Sequence, residues 1–197
     1  LDVLSENGTI LLEGEATEGW SLTYDDITLA FDSYAEVLEC IAEINNAEGV
    51  FTISCTKPSS AYMTLDGFPT VAGEVILKSV EGKDYNYVAN DLETDVKITL
   101  EANLQLSGKC AINELYMDGG QIFNVRKNGE EVLLRIEKVT MVNSARIYAF
   151  EPVEIGTCDV DMYSGFSISN EQVMDYSFMC LEIAFAVLKY WKIDIHN

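Results

Sequence analysis

The stretch VKITLEANLQL, residues 96–106, alternates between apolar and polar side chains along its whole length. Successive side chains of a β-strand point to opposite faces, so this stretch predicts a strand with one buried and one wet face. Such half-buried strands are typical of antiparallel sheets. Most of the chain repeats the alternation between turn signals, which include Asp66-Gly67, Glu81-Gly82 and Asp118-Gly119-Gly120.

A hairpin is predicted where residues 121–126 and 131–139 flank Lys127-Asn128-Gly129-Glu130. The Asn-Gly pair favours the positive φ angles of a two-residue hairpin turn. Turns at this spacing predict an antiparallel sandwich or barrel of roughly ten or more strands. No linker or low-complexity run divides the chain, so we predict a single domain over residues 1–197.

One amphipathic helix, near residues 33–46, interrupts the strands. Apolar side chains recur in it at helical spacing, and Ser33 and Glu36 stand at the spacing of a capping box. Asn45 and Gly49 are typical of the end of a helix. We therefore expect a helix with one buried and one exposed face.

A second helix, buried and apolar, is predicted near residues 170–192. Its core, YSFMCLEIAFAVLKYW at residues 176–191, is shorter than the roughly 20 residues that a bilayer requires. Glu182 lies at its middle, where a charge disfavours insertion. A helix within the protein core is the expectation, and a tail anchor with Tyr190 and Trp191 at the membrane interface is the alternative.

The order of many strands followed by one apolar helix resembles that of the tubby-like and phospholipid-scramblase-like barrels. In those families a C-terminal helix threads a closed β-barrel, and the resemblance implies this fold as an alternative. It rests on element order alone, so it transfers no functional residue to this chain.

The charge balance is strongly acidic, with 33 Asp and Glu against 12 Lys and Arg and a net charge of −21. Such a chain disfavours nucleic acid and anionic membranes as partners. The first base is Lys57, so the first 56 residues carry acids alone. A surface of this kind favours a basic protein partner, because complementary potentials speed association and select the partner.

The predicted function is therefore non-catalytic binding of a basic macromolecule, as in inhibitors and immunity proteins, through an acidic N-terminal surface. The competing interpretation is a solvated face that keeps the protein soluble. The predicted partner-binding residues are Asp25, Asp26, Asp32, Glu36, Glu39, Glu43 and Glu48.

Catalytic and cofactor signatures are missing from the sequence. The single histidine, His196, is the penultimate residue, which argues against a histidine-based triad. A phosphate-loop-like glycine spacing at residues 14–21 has Trp20 in place of the lysine. Carboxylate pairs such as Asp25-Asp26, or Asp159 with Asp161, are expected by chance among so many acids. We predict no enzyme activity, no cofactor and no metal site.

The five cysteines are odd in number and contain no CxxC pair, which is typical of a reducing compartment, so we expect a cytoplasmic protein. A rival function follows from the ten Tyr and eight Phe, which could line a β-barrel cavity for an apolar small molecule or lipid. The tail-anchored membrane protein is the third alternative.

Overall fold

The computed structural model describes residues 19–55, 62–79, 86–126 and 132–168, and in them the chain is mostly β with one helix. The strands form a β-solenoid of about four turns. In chain order the elements are β1 (Trp20–Tyr24), β2 (Ile27–Phe31), α1 (Tyr34–Ile44), β3 (Val50–Cys55), β4 (Tyr62–Leu65), β5 (Glu74–Lys78), β6 (Asn86–Asn90), β7 (Glu93–Thr94), β8 (Lys97–Glu101), β9 (Asn103–Ser107), β10 (Lys109–Asp118), β11 (Gln121–Asn124), β12 (Leu133–Val142), β13 (Arg146–Ala149), β14 (Val153–Val160) and β15 (Gly165–Ile168).

The strands belong to two sheets, and the chain passes from one to the other in every turn. The large sheet has the order β2-β1-β3-β5-β8-β10-β12-β14, with β7 also beside β10, and the small sheet has the order β4-β6-β9-β11-β13-β15. From β3 onward all neighbours are parallel. Equivalent residues of successive turns are therefore stacked on one another.

The long strands β10 and β12 each bend once and so add a third side to the solenoid. Their inward alternation is interrupted at Asn113-Glu114 and at Glu137-Lys138, where two successive side chains lie outside the core. The first part of β10 pairs with β7 and the second part with β8, which are separate strands. The large sheet thus turns a corner along this line.

Residues 96–106 show how the alternation of apolar and polar side chains relates to the two sheets. All six of their apolar side chains are buried, as the pattern predicts. The stretch is not one strand, however, because β8 lies in the large sheet and β9 in the small sheet, with the buried Ala102 between them. The inner faces of both sheets together enclose a single hydrophobic core.

The prediction of an antiparallel sandwich or barrel is wrong. Antiparallel pairing is confined, in the described residues, to β1 with β2 and with β3. A period of two marks a strand with one buried face in either type of sheet, so it did not reveal the parallel pairing. Within the described residues both sheets are also open at their ends, which overturns the barrel, including the tubby-like alternative, while binding of an apolar small molecule or lipid stays a prediction.

The predicted hairpin between residues 121–126 and 131–139 is wrong as well. The flanking strands β11 and β12 lie in different sheets, and each is paired in parallel with the strands of neighbouring turns. The turn residues 127–130 lie outside the described residues, and so does the helix predicted near 170–192. In the part of the chain that the structure describes, no helix has both the length and the apolar character needed to cross a membrane.

The helix predicted near 33–46 is confirmed as α1. The Ser33 hydroxyl accepts a hydrogen bond from the Glu36 backbone N–H, and the Glu36 carboxylate accepts one from the Ser33 N–H at 3.0 Å. Asn45 ends the helix in the left-handed conformation with φ 51°. The buried face of α1 consists of Tyr34, Val37, Cys40 and Ile41.

Candidate functional site

The hairpin β1–β2, helix α1 and the loop up to Gly49 form one unit at the first end of the solenoid, which we call the N-terminal cap (residues 19–49). Aromatic contacts fix it in place. The Trp20 ring lies 4.9 Å from that of Tyr34 and 6.0 Å from that of Tyr87 in the small sheet. The Tyr34 hydroxyl donates to the Gly67 carbonyl oxygen at 3.2 Å. The N-terminal cap is thus packed on the solenoid core.

The tip of the hairpin carries two of the predicted site residues. Asp25 and Asp26 have φ angles of 47° and 64°, and Tyr24 is paired with Ile27 on either side of them. Two successive positive φ angles define the type I′ turn, and Asp tolerates this conformation better than most residues. Below the turn the Tyr24 ring stacks on Phe51 with centroids 4.8 Å apart. Both aspartates are consequently held at a fixed, exposed position.

All seven predicted site residues lie on the N-terminal cap, and all seven are exposed. The hairpin tip contributes two, Asp32 follows β2, α1 contributes three and the loop after α1 contributes the last. Their role in binding stays a prediction. The seven are Asp25, Asp26, Asp32, Glu36, Glu39, Glu43 and Glu48.

Glu36 differs from the other six because its carboxylate has a structural role. One carboxylate oxygen accepts the backbone N–H groups of both Asp32 and Ser33, each at 3.0 Å. Each part of a capping box contributes about 0.3–1.5 kcal/mol of stability. A test of binding therefore has to leave Glu36 in place, since its removal would change folding and charge together.

In the rest of the solenoid, which we call the body (residues 50–168), most described bases are paired with acids. Five of its described Lys and Arg residues form ion pairs, each with an acid on a neighbouring turn. The pairs are Lys78–Glu101 at 3.2 Å, Lys97–Glu74 at 3.2 Å, Arg126–Glu151 at 3.1 Å, Arg135–Glu154 at 2.7 Å and Lys138–Glu114 at 2.9 Å.

On the N-terminal cap no such pairing exists among the described residues, where none of the seven carboxylates forms an ion pair with a base. Sequence reasoning missed the contrast because the partners in the body are far apart along the chain, 19 residues for Arg135 and Glu154 and 24 for Lys138 and Glu114. A search for opposite charges at the length of one solenoid turn could have found it.

The negative field of the N-terminal cap has local consequences. Burial raises the pKa of the Cys40 thiol, and the Glu43 carboxylate raises it further. Glu43 also lies near the C-terminal end of α1, where the helix dipole favours a cation and where the last turn has no base. This placement costs about 0.3–1 kcal/mol. A positive group brought to this surface would relieve the unfavourable placement of Glu43 at the end of the helix.

Other candidate chemistry is not assembled by the described residues. They contain no group of three or more His, Cys, Asp or Glu side chains that could hold a metal ion. Asp161 accepts backbone N–H groups of Asn143, Tyr163 and Ser164 at 2.7–2.9 Å, so it stabilises a corner of the solenoid. His196 lies outside the described residues.

Comparison of the chain with protein-family models, with curated proteins and with solved structures finds no match.

Proposed function

We propose that the protein is a non-catalytic binding protein whose N-terminal cap docks on a basic surface of another protein. The observation that carries this proposal is the contrast between the two parts of the fold. The body matches most of its described bases with acids on neighbouring turns, while the N-terminal cap presents seven exposed carboxylates and no base.

Solubility alone accounts poorly for this distribution. An excess of acids favours solubility, but a soluble surface normally intersperses charges of both signs and avoids a large field of one sign, which serves to steer a partner. Here Glu36, Glu39 and Glu43 share the exposed side of α1, where like charges at these spacings cost about 0.2–0.5 kcal/mol per pair. Such a cost is offset when a partner supplies the opposite charge, as in complexes whose complementary potentials steer association.

The charge also restricts the class of partner. Phosphate backbones and anionic lipid headgroups are repelled by this surface, which leaves a basic protein. An inhibitor or immunity protein that covers the basic active site of its target fits this description. We place the interaction in the cytoplasm, since the cysteine pattern is typical of a reducing compartment and Cys40 and Cys110 are buried thiols.

Two variants with the same net charge test the proposal. The cap variant combines Glu39→Lys, Glu43→Lys and Glu48→Lys and keeps Glu36 and its capping bonds. The body variant combines three substitutions at exposed acids outside the N-terminal cap that form no ion pair among the described residues: Glu93→Lys, Asp95→Lys and Asp159→Lys.

Wild-type protein and both variants are used to capture partners from a native lysate at about 50 mM and about 500 mM salt, since the higher concentration screens exposed charges over a few ångströms. We expect wild type and the body variant to retain the same basic protein at low salt, and the cap variant to lose it. Equal retention by all three proteins contradicts the proposal, as does equal loss by both variants. Melting temperatures of the three confirm that each is folded.

A further inference from the structure

Strand β2 is the outermost strand of the large sheet at the N-terminal cap. It pairs with β1 along one edge, and in the described ranges no strand lies along its other edge. An unpaired edge presents backbone N–H and C=O groups to any extended chain that approaches it. The position of β2 therefore raises the question of which chain it could receive.

The groups that face outward follow from the hairpin register. In a two-residue turn the residues on either side, here Tyr24 and Ile27, are joined by the turn hydrogen bond. Bonded and non-bonded pairs alternate along an antiparallel ladder, so Thr28 and Ala30 belong to non-bonded pairs. Their backbone N–H and C=O groups point away from β1, and both residues are exposed.

The side chains of β2 do not protect this edge. The strand reads ITLAF, without a charge, a proline or a bulge, which are the usual devices against pairing with another chain. Ile27 is 44% exposed, and Leu29 and Phe31 are only partly buried at the rim of the core. A strand added beside β2 with apolar residues at alternate positions would cover all three.

The charges at the two ends of β2 identify the occupant. Asp25 and Asp26 immediately precede the strand and Asp32 immediately follows it, and all three are exposed. A segment with basic residues at both ends would place them against these carboxylates. A second copy of this chain would instead bring Asp32 of one β2 toward Asp25 and Asp26 of the other, and like charges placed opposite one another are destabilising.

We propose that β2 receives an extended basic segment of the partner as an added strand of the large sheet. This inference rests on the proposed function and specifies its geometry. Backbone bonds to Thr28 and Ala30 supply affinity, as in other complexes formed by strand addition, while the flanking carboxylates set the position of the segment. The N-terminal cap then recognises a strand with alternating apolar residues and basic ends.

A single substitution separates strand addition from charge attraction. Ala30→Pro removes an outward N–H that is not used in pairing with β1, and proline is tolerated at such edge positions. Ala30→Thr is the matched control, since it keeps the N–H and has a high strand propensity. Neither substitution alters a charge. The melting temperature of each variant checks that the protein is folded.

The probe is the synthetic peptide Lys-Lys-Val-Thr-Val-Thr-Val-Lys-Lys, labelled for fluorescence anisotropy and titrated at about 50 mM salt. A second peptide with proline in place of the central valine has the same charge but is a poor strand. We expect wild type and Ala30→Thr to bind the first peptide, and Ala30→Pro to bind it at least tenfold more weakly. The proline peptide should bind wild type at least tenfold more weakly than the first peptide does.

The other outcomes overturn the inference in distinguishable ways. No binding of the first peptide to wild type, or equal binding by Ala30→Pro, rules out strand addition, and so does equal binding of both peptides. The proposed function survives these results if the cap variant still loses the captured partner and the body variant does not. A wild-type dimer that Ala30→Pro converts to monomer would identify a second copy of the chain as the occupant and also contradict the inference.

Discussion

Replacing Asn124 by alanine tests the packing of the solenoid at one of its corners. Asn124 is fully buried, and its amide holds the segment between β13 and β14. Its Nδ2 donates to the carbonyl oxygens of Glu151 at 2.7 Å and Pro152 at 3.3 Å. Its Oδ1 accepts the backbone N–H groups of Phe150 at 2.8 Å and Glu151 at 3.2 Å. The Asn124 side chain thus satisfies the hydrogen-bonding groups of the backbone between β13 and β14.

The expected loss of stability follows from the buried backbone groups that Asn124→Ala leaves without a hydrogen-bond partner. The two buried bonds, to the Glu151 carbonyl oxygen and from the Glu151 N–H, leave a buried acceptor and a buried donor without a partner when Asn124 is removed. Each buried group without a partner costs about 1–3 kcal/mol, so we expect a loss of about 3 kcal/mol in the free energy of unfolding. At about 2–4 °C per kcal/mol for a chain of this size, the melting temperature should fall by about 6–12 °C.

Urea unfolding followed by circular dichroism measures this loss, with the midpoint and the slope fitted separately. Asn103→Ala is the control, because Asn103 is a half-buried residue on the outer face of β9 with no side-chain hydrogen bond in the described residues. It should change stability by less than about 0.5 kcal/mol. A loss below about 1 kcal/mol for Asn124→Ala, or equal losses for the two variants, would refute the hydrogen-bonded corner.

Two further predictions follow from the same fold. Gly120→Ala should destabilise the protein by about 1–3 kcal/mol, because a Cβ there would lie 2.6 Å from the Ala102 carbonyl oxygen. Gly165→Ala is the control and should be nearly neutral, because a Cβ there would have nothing within 4 Å. Thermal unfolding measures both variants, and equal losses of stability would contradict the close approach at Gly120. Burial, aided by the Asp91 carboxylate, raises the pKa of the Cys110 thiol. The unfolded thiol therefore loses its proton first, so its contribution to stability is complete below about pH 8.5 and falls as the pH rises above that value. Urea midpoints at neutral and alkaline pH should fall less in Cys110→Ala than in wild type, and equal decreases would contradict this assignment.

The sequence predicted what is local in this fold. The helix α1 is defined by its own residues, since Ser33 and Glu36 form the capping box and Asn45 ends the helix. The inward positions of residues 96–106 were also predicted correctly, because alternation fixes which side chains face the core.

What the sequence did not reveal is which strands are neighbours. Alternation is the same for a parallel and an antiparallel strand, and the Asn128-Gly129 pair is as compatible with a connection between sheets as with a hairpin. The pairing of the strands depends on contacts between residues about one solenoid turn apart, such as Lys138 and Glu114, which are 24 residues apart in the sequence.

For the candidate site, too, local features were predictable from the sequence and features that depend on strand order were not. The seven carboxylates were predicted from composition, and their exposure follows from charge. Their lack of ion pairs with described bases, and the edge of β2 that no described strand covers, depend on how the strands are ordered, so neither could be read from one segment of the chain.

The most direct test of the acidic N-terminal cap is the dissociation constant of the purified partner for wild type, the cap variant and the body variant at one salt concentration. Each exposed pair contributes about 0.2–1 kcal/mol, and a reversal replaces that attraction with a repulsion of similar size, so three reversals on the N-terminal cap should cost about 1–6 kcal/mol and weaken binding roughly eightfold or more. The body variant, with the same net charge, should stay within about threefold of wild type. Equal dissociation constants for the two variants would show that the partner senses only total charge and would contradict the account.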